Sequence, residues 1–377
     1  MGGPTLPPSR WWVHGVSASR VLLVTKGLDI GGIERIVVDL AVGLTAAGSV
    51  VEVAVVNEGR AGLLGLLQAA GVPVHGLSGT DRIGWPAARR LARLTAAGRF
   101  DVVHTHGPLP AIVARLAPNH RPIVTSSHTL WTALRPPVRA AWRATASRDA
   151  ASVAVSAVVA ASLPLPIAER TRVIPHGVDP KAIRVAREAA GDRPLVPDIV
   201  TAVTVASHRD VKNYPNLLRA VAVARDSGMA LRLVAVGEGP DLERHRTLAA
   251  ELGLSEAVRF MAPTPDALGA IAPADILVVA SDFEGQPLVV SEALALGRPV
   301  VATAVGRVPE LVHPGVGRVV PPGDPVALGA ALVELASDHA LRRAMGEAAA
   351  AAGLSRTLVD VVDAHLALYE EVRAGAL

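Results

Sequence analysis

Two glutamates, Glu284 and Glu292, stand eight positions apart in the run Ser281-Asp282-Phe283-Glu284-Gly285-Gln286-Pro287-Leu288-Val289-Val290-Ser291-Glu292-Ala293. That spacing predicts two carboxylates at one ligand site. A carboxylate accepts two hydrogen bonds at once, so it suits a pair of vicinal sugar hydroxyls. The preceding Ala274–Ala280 reads as a buried parallel strand, and Leu288 to Leu296 has the Ala/Leu content of a helix. Ligands of open α/β sheets sit beyond the carboxyl ends of the strands, which puts Glu284 in such a crevice with the amides of Gly285 to Leu288. Glu292 falls about two turns further along the helix.

Four other loop motifs, the second of them in two segments, carry residues suited to ligands. In Gly27-Leu28-Asp29-Ile30-Gly31-Gly32-Ile33-Glu34 the adjacent Gly31 and Gly32 let backbone approach a phosphate at a helix start, or make a plain tight turn. The spacing departs from G-x-G-x-x-G, which disfavours a nicotinamide oxidoreductase. His104-Thr105-His106-Gly107 and Ser126-Ser127-His128-Thr129 place imidazoles at strand ends, where they orient a hydroxyl, move a proton or simply pack. His104 and His106 point to one side of their strand, but no third ligand gives a metal spacing. In Ala206-Ser207-His208-Arg209-Asp210-Val211-Lys212-Asn213, Arg209 and Lys212 are cations where a diphosphate needs them, surface solvation being the bland reading. Gly237 and Gly239 in Val236-Gly237-Glu238-Gly239-Pro240 admit a ligand close to the backbone or form a turn.

These loops need elements to hold them. At 377 residues the chain exceeds what one core sustains, so two domains are expected. Strand and helix patterns alternate, which argues for two doubly wound parallel sheets facing across a cleft. The first domain is read over 20–180, after a leader at 1–19, and ends in Val173 to Asp179. Its strands fall at Arg20–Thr25, Val50–Asn57, Val72–Leu77, Val102–His106, Ile123–Ser127 and Ser152–Val155. A charged, Pro-containing linker follows at 181–198, then a second domain at 199–353 and a helix at 354–377 packing back on the first. The second domain's strands fall at Ile199–Val205, Leu231–Val236, Val258–Ala262, Ile276–Ala280 and Pro299–Thr303. One long helix is expected over Pro325–Ala352.

Composition narrows the function. The chain has no cysteine, which removes disulfides, thiolate nucleophiles and Cys-ligated metal and fits a reducing compartment. No apolar run is long enough to span a membrane, and the start lacks a secretory signal pattern. The expected location is cytoplasmic, with the inner face of the membrane as a second place. Residues 1–180 carry about +8 and residues 181–377 about −5. A basic half attracts an anionic substrate, lipid or nucleic acid, although nearly all its cations are arginine, as a compositional bias would give. Trp131, Arg135, Arg139, Trp142 and Arg143 concentrate that charge, and the three arginines share a helical face. That face is either solvated or a membrane-surface patch with Trp at headgroup depth.

Taken together, these residues resemble the family-4 glycosyltransferases of the GT-B fold, retaining enzymes that use nucleotide-activated sugars. The resemblance covers roughly residues 20–375. It is carried by Glu284 and Glu292 in Glu-x7-Glu, continued by Ala293 to Thr303, with the Gly31 to Glu34 loop, Val173 to Asp179 and Val236 to Pro240 in support.

The resemblance implies that Glu292 binds the donor ribose, while Glu284 and the backbone of Gly285, Gln286, Pro287 and Leu288 meet the donor sugar. Arg209 and Lys212 would neutralise the departing diphosphate, approached by Gly31 and Gly32 from the first domain and by Gly237 from the second. His128 matches a His-Thr motif that contacts the donor sugar in some members. Two positions depart from the pattern: Ser207 stands where an arginine is common, its role passing to Arg209, and His176 stands where asparagine is usual.

Sugar transfer from a nucleoside diphosphate builds negative charge on the leaving group, so preorganised cations and amides lower the barrier. With Arg209 and Lys212 in place and no Asp-x-Asp in the chain, a metal-independent reaction is expected, the nucleotide sugar (UDP- or GDP-sugar) being a co-substrate with no other cofactor. Retention by same-face attack is what the resemblance implies; a two-step route through Glu284 is the alternative. The expected activity is transfer of a hexose-type sugar to an acceptor hydroxyl, on a lipid-linked glycan or polysaccharide, with no nucleic-acid partner. A nucleotide-sugar epimerase would need acid/base carboxylates in both domains, and a phosphorylase a longer chain with a cofactor-bearing lysine. A non-catalytic binder would have lost Glu284 or a cation.

Overall fold

The computed structural model describes residues 19–59, 61–78, 85–118, 121–191 and 199–375. The expected leader therefore falls almost wholly outside the described residues.

Two parallel sheets organise the chain. The first has the order β3-β2-β1-β4-β5-β6-β7, built from β1 (Arg20–Thr25), β2 (Val50–Asn57), β3 (Val74–Ser78), β4 (Val102–His106), β5 (Ile123–Ser127), β6 (Asp149–Ala154) and β7 (Thr171–Val173). The second has the order β10-β9-β8-β11-β12-β13, from β8 (Val200–Val205), β9 (Leu231–Val236), β10 (Val258–Met261), β11 (Ile276–Val279), β12 (Val300–Thr303) and β13 (Gly317–Val320). Helices cover both faces of each sheet, which is why the central strands are nearly continuous in Val, Leu and Ala and buried, apart from Arg20 at the start of β1. In the first sheet Leu23 lies between Val53 and His104; in the second, Leu277 lies between Val203 and Val300.

Strand order reverses between β1 and β4 and again between β8 and β11, and such switch points are where open sheets hold ligands. The segments after β5 and β7 meet the loop after β11, where Gly285 packs against the His128 carbonyl. Gln286 exchanges hydrogen bonds with the backbone of His176, at 3.0 Å to its N–H and 3.2 Å to its carbonyl. Arg35 reaches from the first domain to the Pro265 carbonyl at 3.1 Å.

Helix Leu358–Ala374 returns to the first domain, where Val361, Val362, Leu366 and Tyr369 complete the core shared with Val37, Leu40 and Leu44 of helix Gly32–Ala46. Its start is fixed by a capping box between Thr357 and Asp360. The two crossings between domains run side by side: Val178 forms a parallel bridge with Thr357.

Several local expectations change. Over Pro180–Ala190 the expected linker is a helix, because Asp179 caps Lys181 N–H and Pro180 occupies the first turn; residues 192–198 lie outside the described set. Pro325–Ala352 is two helices, Pro325–Ser337 and His339–Gly353, broken where Asp338 turns extended and caps Leu341. Strands β7 and β13, three and four residues long, complete the sheet edges. Among the described residues no helix is long and apolar enough to cross a membrane.

Candidate functional site

The loop after β11 brings the predicted anion site together. Lys212 Nζ lies 2.6 Å from Glu284 Oε1, and Ser281 Oγ donates to the same oxygen at 2.8 Å. Lys212 ends the short turn Asp210–Lys212, and Asn213 follows in the left-handed region at φ 42°, held by its 2.6 Å bond to Asp282. Arg209 is exposed beside it, with no ion-pair partner among the described residues. Thus Lys212 is already paired and Arg209 is not.

Glu292 occupies the middle of helix Leu288–Ala295 and is only 5% exposed, yet its Oε2 has no hydrogen-bond partner among the described residues. Burial pushes its carboxyl up to about 7, against the attraction of Arg35 and with added repulsion from Asp39 and Asp266. Arg35 forms its direct ion pair with Asp39 instead, at 2.8 Å. Sequence reading missed Arg35 and Asp39, whose i,i+4 spacing is also that of an ordinary surface pair.

The glycines divide into two kinds. A β-carbon at Gly32 would meet nothing within 4 Å, so that position leaves open space at the start of helix Gly32–Ala46; at Gly31 it would meet only the flexible end of Glu34. A β-carbon at Gly237 would sit 2.0 Å from the Ala206 carbonyl oxygen, and one at Gly239 2.2 Å from that of His208. Those two glycines are required by the approach of the β8 and β9 loops to each other.

Gly285 is required by the other domain, since a β-carbon there would lie 2.3 Å from the His128 carbonyl oxygen. Gly285→Ala is accordingly expected to hold the domains apart. Small-angle scattering should show a larger radius of gyration than for the unsubstituted protein; an unchanged radius would place the limiting contact elsewhere. Gln286 is 7% exposed and committed to His176 and to Arg307, the latter at 3.2 Å, so in this arrangement its amide clamps the domains. Pro287 has no N–H and caps helix Leu288–Ala295 at φ −71°, which leaves the helix start without a side-chain cap. Leu288 lines a small recess with Asp39, His106, His128, His176 and His365.

Four imidazoles form a stack through this interface. Ring centroids are 5.5 Å apart for His176 and His128, 5.3 Å for His128 and His106, and 4.2 Å for His106 and His104. Burial holds all four below the ordinary imidazole range, with His128 down to about 4. His104 is satisfied on both nitrogens, by Tyr369 Oη at 2.6 Å and Ser126 Oγ at 2.8 Å, which makes it a core residue. His128 Nε2 lies 3.2 Å from His106 Nδ1, while its Nδ1 is buried without a partner. Among the described residues no group of three His, Asp or Glu side chains is arranged to hold a metal ion.

One expectation fails at the Trp/Arg segment. Trp142 is 2% exposed, packed edge-on to Trp131 at 5.2 Å and covered by the Arg115 guanidinium at 4.5 Å, so it is a core side chain and not a headgroup anchor. Arg115 is itself buried and paired with Asp149. Arg135 and Arg143 are exposed and Arg139 half-buried on helix Pro136–Thr145.

The family described as Glycosyltransferase Family 4 matches residues 30–182, and Glycosyl transferases group 1 matches residues 192–352. A D-inositol 3-phosphate glycosyltransferase of Corynebacterium jeikeium is 36% identical over 53% of this chain and 52% of its own length, so the chain spans about half of that relative. The protein of the same name from Geodermatophilus obscurus is 34% identical over 74% of this chain and 69% of its own length. Among solved structures, Anabaena HepE in complex with UDP and glucose superposes with a TM-score of 0.80 at 20% identity, covering 93% of this chain and 99% of that one. Sucrose-phosphate synthase from Thermosynechococcus elongatus gives 0.78 at 21%, covering 94% and 99%. At those identities the shared property is the fold, two facing parallel-sheet domains.

Proposed function

The chain belongs to the family-4 glycosyltransferases and has their GT-B fold, and from that premise we propose that it transfers a hexose-type sugar from a UDP- or GDP-sugar to an acceptor hydroxyl. The acceptor is proposed to be a lipid-linked or polysaccharide glycan, and the anomeric configuration to be retained. The observation that carries the donor half is Glu292: a buried carboxylate oxygen without a partner is matched by a ribose diol, which donates two hydrogen bonds to it.

The remaining residues take their parts around that anchor. Gly32 gives the diphosphate room to approach the uncapped start of helix Gly32–Ala46. Arg209 and Lys212 stabilise the charge that grows on the diphosphate as the sugar C1–O bond breaks, and Gly237 keeps the β9 loop tight against them. The acceptor oxygen bonds to C1 on the face the diphosphate leaves, and its proton passes to the departing phosphate oxygen. Glu284 holds Lys212 in place beside the sugar, and His128 contacts the sugar from the first domain. In this reading two protein cations supply the positive charge, and no divalent ion is required. The reaction takes place in the cytoplasm, with Arg135, Arg139 and Arg143 available to an anionic membrane surface.

The test is a screen of UDP-, GDP- and ADP-sugars for thermal stabilisation and donor hydrolysis, with and without EDTA. Stabilisation by a UDP- or GDP-sugar and EDTA-resistant hydrolysis are expected. Absence of any nucleotide effect would remove the donor assignment, and loss of hydrolysis in EDTA would remove the metal-free one.

A further inference from the structure

In the loop 206–213 that follows β8, the exposed Arg209 comes directly after His208, the one buried residue of that loop, at 0% exposure. His208 is held through both backbone and ring. Its N–H donates to the Glu238 carbonyl at 2.8 Å, and its carbonyl accepts from Asp241 N–H at 3.2 Å. Its ring stacks on Tyr214 with centroids 4.0 Å apart, and Tyr214 stacks in turn on His245 at 4.8 Å. His208 Nδ1 lies 2.9 Å from Nδ1 of His245, on helix Leu242–Glu251, whereas His208 Nε2 is buried with no partner among the described residues. The Nδ1 contact is therefore the one hydrogen bond that the His208 side chain makes among those residues. Tyr214 Oη donates to the Ala206 carbonyl at 2.8 Å, which fixes the start of the loop.

Burial keeps both imidazoles below their ordinary range, His208 down to about 4, so near neutral pH each carries a single ring proton. A hydrogen bond between two Nδ1 atoms then needs opposite tautomers, Nδ1–H on one ring and Nε2–H on the other. Two apolar side chains would fill the same space without burying imidazoles, but their attraction has no direction. A hydrogen bond weakens steeply as it bends, so this one sets the rotation of the His208 ring on its own backbone. The next residue along that backbone is Arg209.

We infer that His208 and His245 are a positioning pair, which orients the loop so that the Arg209 guanidinium meets the leaving diphosphate. Both rings are buried, so the pair acts through Arg209 and not on the substrate; the assignment rests on the glycosyltransferase reading above. Lys212 is anchored by Glu284 and Asn213 by Asp282. Arg209 has no ion-pair partner among the described residues, and its place is set from the neighbouring His208.

The test compares His245→Asn, His245→Gln and His245→Ala. Asparagine puts its amide where Nδ1 stands and glutamine where Nε2 stands, so only asparagine reproduces the contact with His208. Turnover of a UDP- or GDP-sugar gives kcat and KM, and hydrogen exchange read by mass spectrometry follows the amides of residues 208–213 without any substrate. His245→Gln and His245→Ala should lower kcat about tenfold, with a far smaller change in nucleotide affinity, and should speed exchange in the loop. His245→Asn should stay near the unsubstituted protein in both, a comparison that holds even where alanine prevents folding. Adding His245→Gln to Arg209→Ala should lower kcat no further than Arg209→Ala alone, because a residue that acts through another then has nothing left to act on. Equal kinetics in His245→Gln and His245→Asn overturn the inference, as do losses that multiply with Arg209→Ala or loop exchange unchanged in His245→Gln. If the unsubstituted protein turns over no nucleotide sugar, the glycosyltransferase reading falls; faster exchange in His245→Gln but not in His245→Asn then still upholds the pair as the anchor of Arg209.

Discussion

Replacing Lys212 with alanine should lower the turnover for sugar transfer by about 10²–10³, the range found when one preorganised donor to a developing oxyanion is removed. Nucleotide affinity should fall far less. The ammonium sits 2.6 Å from Glu284, which uses one of its three N–H donors and leaves the others for phosphate oxygens. Because the pair is largely withdrawn from solvent, at 23% and 13% side-chain exposure, the charge acts in a medium that screens it poorly. Removal of Lys212 also strands Glu284 beside the departing anion. Adding Glu284→Gln to Lys212→Ala should therefore recover part of the lost rate. Single-turnover kinetics with saturating donor measure both effects, and a turnover within fivefold of the unsubstituted protein would move the charge stabilisation away from Lys212.

Glu292→Gln should raise stability and weaken nucleotide binding at the same time. Its carboxyl rises from an ordinary 4.5 to about 7 on folding. The folded chain thus holds that proton more tightly than the unfolded one, and stability falls as pH rises through this window. The cost is absent below the unfolded value and fully expressed above the folded one, on the order of 3 kcal/mol. Glutamine carries no charge to bury, so its apparent melting temperature should exceed that of the unsubstituted protein by a few degrees at pH 8 and match it near pH 4. Nucleotide binding should move the other way, with a Kd raised about tenfold or more, because the amide offers one acceptor where the carboxylate offers two. Calorimetry at the two pH values checks the first effect and titration at pH 8 the second. A variant that is less stable at pH 8 would mean that Glu292 is satisfied within the fold.

Local signals made much of this legible in the sequence. Glu284 and Glu292 were visible because a buried strand, a Gly/Pro loop and an apolar helix lie in immediate succession around them. Arg209 and Lys212 were visible because they follow a strand end directly. The helix Pro180–Ala190 was legible too, since Asp179 followed by Pro180 is a helix-start pattern, but its charges suggested a linker. The break at Asp338 turns on one extended residue inside an alanine-rich stretch, where propensity favours continuing the helix. Contacts between domains left no local trace. Nothing near Gln286 in the chain indicates His176, 110 positions away, and nothing near Arg35 indicates Pro265. Trp142 read as a surface anchor because its neighbours are arginines, and only the fold reveals Arg115 above its ring.

The return of helix Leu358–Ala374 to the first domain sets an order of events during synthesis. Domains fold as units while the chain emerges, usually the earlier one first. Here the second sheet and its helices are contiguous in sequence, whereas the first sheet lacks one of its covering helices until translation has passed beyond them. His104 cannot reach the hydroxyl of Tyr369 before then, and Val37, Leu40 and Leu44 have no apolar cover on that side. The domain that leaves the ribosome first is therefore the one that matures last.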